Sequence, residues 1–425
     1  MLLGKFYDSL ELHREEKIVY AKFLTPHTVI STSRSGGGLR QDLQFLFNHQ
    51  ACEPAGHGGA KVVKGYTKPE EYLKDICAKH NLPPDSSAFL TTAANMRLVA
   101  VESLTFKELT VVAAVTGGVQ GNAGRAGDPA SGYEGREGYE PLAIPVIKGV
   151  NVPEGASGLE SEALPRKDEG QNSHGEVSPP HGTINTLLFI SLPVTPGALV
   201  RSIMTATEAK SAALQELNVN SRYSDGLSTG TGTDQIGVAS RDDPNFPALS
   251  SSGKHSKLGE LIGLTVKKAT KEVLIRQNGM TVDRQCSVKI LMERFFQKED
   301  GHHGIHLAEF ADFVSSFAPN PEIRELLKKN ALPIFHDPVV VAATAAIVHI
   351  RDEFAWGILP PLIWGDVMPA FAAQLAAAVS GNYEKIPAYR ELFTVPSTHR
   401  ANEDFVAIVG RALAQGFFDK WEWGD

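Results

Sequence analysis

The residues best suited to chemistry lie between positions 181 and 240. Thr183 follows a glycine at the head of the apolar run TINTLLFI, Thr207, Glu208 and Lys210 sit in the alanine-rich TATEAK segment, and Thr231, Thr233 and Asp234 close the small-residue turn GLSTGTGTDQ. Hydroxyls, a carboxylate pair and an amine in this density suit hydrolysis of an acyl bond. That reaction needs an activated nucleophile, a proton donor for the leaving group and a stabiliser for the developing oxyanion. The HExxH, GxSxG and SxxK templates of common hydrolases are expected to be absent, so a different arrangement must carry the reaction. Thr183 has two readings. It is a nucleophile, freed by a chain break before it so that its own amine serves as base, with backbone amides or Asn122 as oxyanion donors; or it is a β-former that opens a strand. A second scheme keeps the chain intact and uses water. Glu208 and Asp234 are then the candidate bases, Lys210 the proton donor or carbonyl polariser, and His49 an acid or base near neutral pH. Thr207 and Lys210, three apart, share one side of a helix.

Three further stretches offer ligand contacts. Ser33 precedes Gly36-Gly37-Gly38 and Arg40, so backbone N–H groups there can approach a ligand closely, although a plain turn has the same composition. FLFNHQACEPAGHGG gathers Asn48, His49, Gln50, Glu53 and His57. His49, Glu53 and His57 would share a helix face and invite a metal, but Pro54 and Gly56 interrupt that helix, so a polar pocket or simple loop is expected and no metal. TGGVQGNAGRAGD supplies Gly118, Asn122 and Arg125 after a buried strand. It lacks the Lys-Ser/Thr of a P-loop and the spacing of a dinucleotide fingerprint, which points to a polar ligand other than a nucleotide. His302, His303 and His306 could bind a metal, but a solvated loop before a helix is the expected reading.

Elements must hold these groups. Lys17–Ser33 reads as strand, turn and strand; Thr67–His80 as an amphipathic helix capped by Thr67 with Cys77 inside; Phe89–Val101 and Leu109–Val115 as strands. A strand from Thr183, an alanine-rich helix and a second strand after the TGTGTD turn follow, then the amphipathic helix Leu258–Arg276. Helices dominate the remainder: Val288–Gln297, His306–Ser316, Pro321–Lys329, Pro338–Arg351, Val367–Val379 and Asp404–Phe418. Between them, Pro129–Pro180 is rich in Gly, Pro, Glu and Ser and reads as an extended excursion. The expected fold is α/β, a mixed sheet flanked by helices over residues 1–280 with a flexible insertion at 149–180, followed by a helical region over 283–425. A layered fold like that of N-terminal-nucleophile hydrolases is the specific expectation.

At 425 residues, 42% hydrophobic and 21% charged, the chain has ordinary globular composition. Its net charge of −8 gives no footprint for nucleic acid or an anionic membrane. Three scattered cysteines suit a reducing compartment, so a cytoplasmic protein is expected. The first residues carry no apolar run behind a basic one, which gives no signal peptide. The apolar run Val339–Ile350 falls short of the roughly 20 residues of a membrane span, so a buried helix is expected and no membrane insertion.

In order along the chain, VISTSRSGGGLRQDL, FNHQACEPAGH, EEYLKDICAKHNLP, VTGGVQGNAGRAGDP, GTINTLLFI, ALVRSIMTATEAKSAALQEL and GLSTGTGTDQIGVAS resemble the adenosylcobinamide amidohydrolase family. The resemblance covers about residues 17–280. It implies hydrolysis of the amide joining aminopropanol to the corrin ring of adenosylcobinamide, giving adenosylcobyric acid for cobalamin salvage. Cobalt would arrive with the substrate and no cofactor is required. Hydroxyls at Ser33, Thr229, Thr231 and Thr233 and the amides of two glycine loops suit the side-chain amides of a corrinoid, which a carrier or sensor without catalysis could use equally. The run from Thr183 through TGTGTD also loosely resembles the self-processing aminopeptidase and ornithine-acetyltransferase group. The Gly149–Pro180 stretch is longer than the family core requires. The helices after about Asp283 lie outside the resemblance and could serve as a lid, an oligomerisation element or a second ligand-binding domain.

Overall fold

The computed structural model describes residues 1–51, 65, 67–136, 138–143, 182–395 and 402–421. These fall into two compact units. The first draws on 1–126, 182–219 and 227–280, the second on 127–143, 220–226 and 281–421. The expected insertion at 149–180 lies outside the described residues.

The first unit has four layers built around two sheets. One sheet orders its strands β1-β2-β3-β6-β7, from Leu2–Phe6, Leu10–Arg14, Ile18–Phe23, Phe45–Gln50 and Ser87–Thr92. The other orders them β5-β4-β15-β13-β9-β8, from Gly38–Arg40, His27–Ser31, Gln235–Arg241, Thr183–Ile190, Leu109–Gly118 and Ala100–Phe106. Both are mixed: β6 runs parallel to β7 and β13 parallel to β15, while β13 is antiparallel to β9. Strand alternation explains the layering. Leu187 and Phe189 of β13, with Val112 and Ala114 of β9, pack against Leu46, Ala88 and Leu90 of the first sheet. Their neighbours Ile184, Leu188 and Ile190 point the other way, onto helices α2 (Pro196–Glu216) and α3 (Lys257–Asn278). The outer face of the first sheet buries Phe47 and Phe89 under Tyr72, Ile76 and Cys77 of α1 (Pro69–His80). The sheets approach closely at Gly237, where a Cβ would stand 2.8 Å from Leu46 Cδ2.

The mixed sheet flanked by helices is thus present as two sheets, and a helical region follows in the chain. Several local expectations need correction. Phe45–Gln50 is a strand, not a loop, because its apolar residues alternate between two buried faces. A hairpin of β1 and β2 precedes the expected first strand. Lys68, not Thr67, stands at the N-cap of α1 and makes no side-chain cap. The stretch Phe89–Val101 holds the end of β7 and the start of β8, joined by a turn that Asn95 caps through the Arg97 amide.

Two short pairings complete the strands: β10 (Ala123–Gly124) with β14 (Gly230–Thr231) in the first unit, and the hairpin β11 (Gly132–Gly135) with β12 (Gly138–Pro141) in the second. That hairpin replaces the structureless beginning expected for the Pro129–Pro180 excursion.

The second unit is helical otherwise: α4 (Val282–Gln285), α5 (Val288–Met292), α6 (Leu307–Ser315), α7 (Pro321–Phe335), α8 (Pro338–Ala355), α9 (Trp364–Ser380), α10 (Ile386–Leu392) and α11 (Asn402–Trp421). The segment Pro361–Ser380 is long and apolar enough to cross a membrane by length and composition. Its hydropathy has a local cause, since Trp364, Met368, Ala372, Ala373, Leu375 and Ala376 are buried in the unit's own core. Helices α9 and α11 touch through Gly416, whose missing Cβ would meet the Ala376 carbonyl at 2.4 Å. A buried ionic chain crosses the core: Arg294 meets Asp352 at 2.5 Å, and Arg351 pairs with Asp225 and Asn402. Burial pushes the Asp225 carboxyl up, but Arg351 outweighs it and holds the group below the usual carboxylate range. His303 is buried, with Nδ1 2.6 Å from the Arg294 carbonyl, so it is a core histidine and not part of a solvated loop.

Candidate active site

Along the space between the two sheets the lining changes character. Leu46, Leu90, Ala114, Leu187 and Phe189 fill it at one end. Two residues further along the same faces come Asn48, Thr92, Thr116 and Asn185, and then Thr183 at the start of β13. Polar side chains at buried positions need partners, and these have them. Asn185 is fully buried; its amide donates to Asn48 Oδ1 at 2.9 Å and to the Thr91 carbonyl at 2.8 Å, and its oxygen accepts from the Gln235 amide. Asn48 in turn donates to Thr116 Oγ1 at 2.6 Å. A satisfied network of this kind fixes the register of both sheets beneath Thr183.

Thr183 occupies the first position of β13, a strand central to its sheet, and is 6% exposed. Its Oγ1 lies 2.5 Å from Thr233 Oγ1 and 2.7 Å from the carbonyl oxygen of Gly182. That same carbonyl oxygen receives Thr233 Oγ1 at 2.9 Å and Asn122 Nδ2 at 3.1 Å. Three side chains from three separate segments therefore converge on one carbonyl oxygen. The β10–β14 pairing brings the Asn122 loop beside the 230–234 turn. Gly182 is closely surrounded, since a Cβ there would stand 3.0 Å from the Gly118 carbonyl and 3.1 Å from Asn122 Cβ, tighter than ordinary contact.

Asp234 organises the turn. Its Oδ1 accepts from the Ile184 amide at 2.8 Å and from Thr231 Oγ1 at 2.6 Å, and its Oδ2 accepts from the Thr231 amide at 2.9 Å and pairs with Lys210 of α2. The carboxylate thus ties the start of β13 to the turn that carries Thr233. A side chain at Gly230 would strike it, since a Cβ there lies 2.5 Å from Asp234 Oδ2.

The other expected residues are dispersed. Glu208, on the opposite side of α2 from Lys210, meets Lys254 at 2.5 Å and is half exposed; Thr207 is exposed beside it. His49 faces away from Thr183, under α1, where Nδ1 lies 2.6 Å from the Tyr72 hydroxyl. The two therefore do not join Asp234 and Lys210 in one water-activating group. Gln50 accepts from the Met96 amide, and Arg125 reaches toward the Leu227 carbonyl. Ser33 stitches the sheets together, its Oγ accepting from the Phe89 amide at 3.2 Å. Gly37 serves a tight turn in which a Cβ would lie 2.1 Å from the Ser33 carbonyl. The Arg40 guanidinium forks Asp42 at the surface and holds that carboxyl below its ordinary range. Gly118 contributes its carbonyl to the cradle around Gly182. Glu53 and His57 lie outside the described residues. Among the described residues no cluster of three metal-ligating side chains occurs.

Two strings match hydrolase patterns by letter and not by geometry. GLSTG, residues 226–230, has the GxSxG spacing, but Ser228 is fully buried, its hydroxyl 2.9 Å from the Gly124 carbonyl and 2.7 Å from the Gly230 carbonyl. SSGK, residues 251–254, has the SxxK spacing, yet its lysine is the surface partner of Glu208. The residues that sequence reasoning did not assign are Gly182, as the carbonyl held by donors, and Asn185, Thr116 and Gln235, as the lattice beneath. A polar residue at each inward position late in β6 and β9 and early in β13 was the available signal.

Comparison with known proteins gives a relative and a family. The chain is 29% identical over 270 residues to an uncharacterized protein of Methanocaldococcus jannaschii, an alignment covering 63% of this chain and 89% of the relative. The sequence model of the adenosylcobinamide amidohydrolases matches residues 3–282, a stretch that contains every group converging on Gly182. With more than half of its length matched, the chain belongs to the adenosylcobinamide amidohydrolase family.

Proposed function

We propose that the protein hydrolyses the amide linking aminopropanol to the corrin ring of adenosylcobinamide, releasing aminopropanol and adenosylcobyric acid in cobalamin salvage. The observation that carries this reading is the carbonyl oxygen of Gly182 held by Asn122 Nδ2 and Thr233 Oγ1 beside the Thr183 hydroxyl. It supports the reading because two donors polarise a carbonyl next to a hydroxyl. With the substrate carbonyl in that place, Thr183 Oγ1 attacks the carbonyl carbon and the oxygen takes negative charge against the two donors. The amine departs with a proton, and water then cleaves the resulting ester. Asp234 and Lys210 are positioning residues that hold Thr233 and the start of β13. Cobalt enters with the corrinoid as substrate, and no further cofactor has a role in the scheme. The free thiols Cys77 and Cys286 support a cytoplasmic setting.

The test is product analysis. Purified protein incubated with adenosylcobinamide should yield equimolar adenosylcobyric acid and aminopropanol by liquid chromatography and mass spectrometry. Tight binding with the corrinoid recovered unchanged would instead identify a carrier or sensor and refute the hydrolase.

A further inference from the structure

We infer that the first substrate of this site is the chain itself, and that the Gly182–Thr183 peptide bond is cleaved to give a mature protein whose second fragment begins with Thr183. The inference rests on the hydrolytic reading of the site and extends it to the protein's own maturation.

The geometry is that of an N-to-O acyl shift. Thr183 Oγ1 belongs to the residue that follows the Gly182 carbonyl, so its attack on that carbon closes a five-membered ring of Oγ1, Cβ, Cα, N and the carbonyl carbon. The hydroxyl already lies 2.7 Å from the carbonyl oxygen. Each hydroxyl has one proton to give. With the Thr183 proton assigned to Thr233 Oγ1 at 2.5 Å, Thr233 gives its own to the Gly182 carbonyl at 2.9 Å, joined there by Asn122 Nδ2 at 3.1 Å. That assignment leaves Thr183 as the nucleophile and the carbonyl oxygen doubly polarised. The carbonyl is the one group at the centre of the site that an ordinary loop would have left to a backbone partner or to water. The cradle also favours glycine before Thr183, because a Cβ at Gly182 would stand 3.0 Å from the Gly118 carbonyl and 3.1 Å from Asn122 Cβ, tighter than ordinary contact.

The step balances. The C–O bond from Thr183 Oγ1 to the Gly182 carbonyl carbon forms, the C–N bond breaks, and the hydroxyl proton ends on the departing amine. Water then cleaves the ester, leaving a carboxylate on Gly182 and a free α-amine and free hydroxyl on Thr183. The two products stay together because β13 of the second fragment is paired along its whole length with β9 of the first. Cleavage also supplies a base beside Oγ1. An α-amine titrates at about 7.7–8.0 and is the group best placed to take the hydroxyl proton when the corrinoid amide replaces the Gly182 carbonyl.

The experiment is intact-mass spectrometry and N-terminal sequencing of the purified full-length wild type, Thr183→Ser, Thr183→Ala and Thr233→Val, with adenosylcobinamide turnover measured on the same samples. Wild type should give two fragments, one ending at Gly182 and one beginning at Thr183, whose masses sum to the intact chain plus one water. Thr183→Ser should cleave at the same bond, Thr183→Ala should remain one chain, and Thr233→Val should cleave at least about tenfold more slowly. Turnover in cleaved wild type should rise with pH through about 7.7–8.0. An unbroken wild-type chain that turns over adenosylcobinamide would overturn self-cleavage and leave the hydrolase standing. Cleavage at Thr183 without turnover would sustain self-cleavage and refute the hydrolase. Cleavage at any other bond, or unchanged cleavage in Thr183→Ala, would also overturn the inference.

Discussion

Three side chains aimed at one carbonyl oxygen define what this protein can do at the scale of residues. Thr183, Thr233 and Asn122 come from positions 50 or more apart in sequence and share no local pattern. Thr183, Asn122, Asp234 and Lys210 could nonetheless be picked out from the sequence, because a threonine after glycine, an asparagine in a glycine loop and a carboxylate closing a small-residue turn are residue types that chemistry requires. What could not be read was which of them meet. Glu208 and Lys210 are two apart and look like one site in a linear reading, yet a helix places them on opposite sides, one with Lys254 and the other with Asp234. His49 looked available as an acid or base, but strand alternation turns it toward Tyr72 and away from Thr183. If Asn122 and Thr233 stabilise the oxyanion, Asn122→Ala and Thr233→Val should each lower kcat for adenosylcobinamide by about 10²–10³-fold with a smaller change in KM. Steady-state kinetics of the two variants checks this.

Elements position those residues, and most of them were legible where one face is apolar. The helix over Leu258–Arg276 and the strand from Thr183 read correctly because their period and composition agree. Phe45–Gln50 did not, since a strand buried on both faces carries no alternation of polar and apolar residues. The division into two sheets was also hidden, because strand pairing across more than a hundred residues leaves no local mark. One element predicts its own pH dependence. His27 on β4 is fully buried against Phe23, with its ring nitrogen Nδ1 donating to the Thr25 carbonyl at 2.8 Å. Burial lowers its pKa from the ordinary 6.5 to about 4, against the opposing pull of the Thr25 carbonyl and Asp242. The unfolded chain therefore takes up a proton near pH 6.5 that the folded unit refuses until about 4. Stability from this group is complete above about pH 6.5 and declines as pH falls toward 4, by roughly 3 kcal/mol in all. Urea unfolding followed by hydrogen exchange in β3 and β4 should show that decline in the wild type and a flatter profile in His27→Asn.

At the scale of the whole molecule, the family match ends at residue 282, and helices make up the second unit from that point on. The chemistry assigned to the first unit needs none of those helices, which gives the account a single centre: an acyl bond to Thr183. The most direct measurement is mass spectrometry of protein quenched with acid during turnover of adenosylcobinamide, followed by digestion and sequencing of the peptide that contains Thr183. The account predicts a transient adenosylcobyryl ester on the Thr183 hydroxyl, accumulating faster than free adenosylcobyric acid in the first turnover and absent from Thr183→Ala. Normal turnover in Thr183→Ala, with no acylated peptide in the wild type, would contradict it.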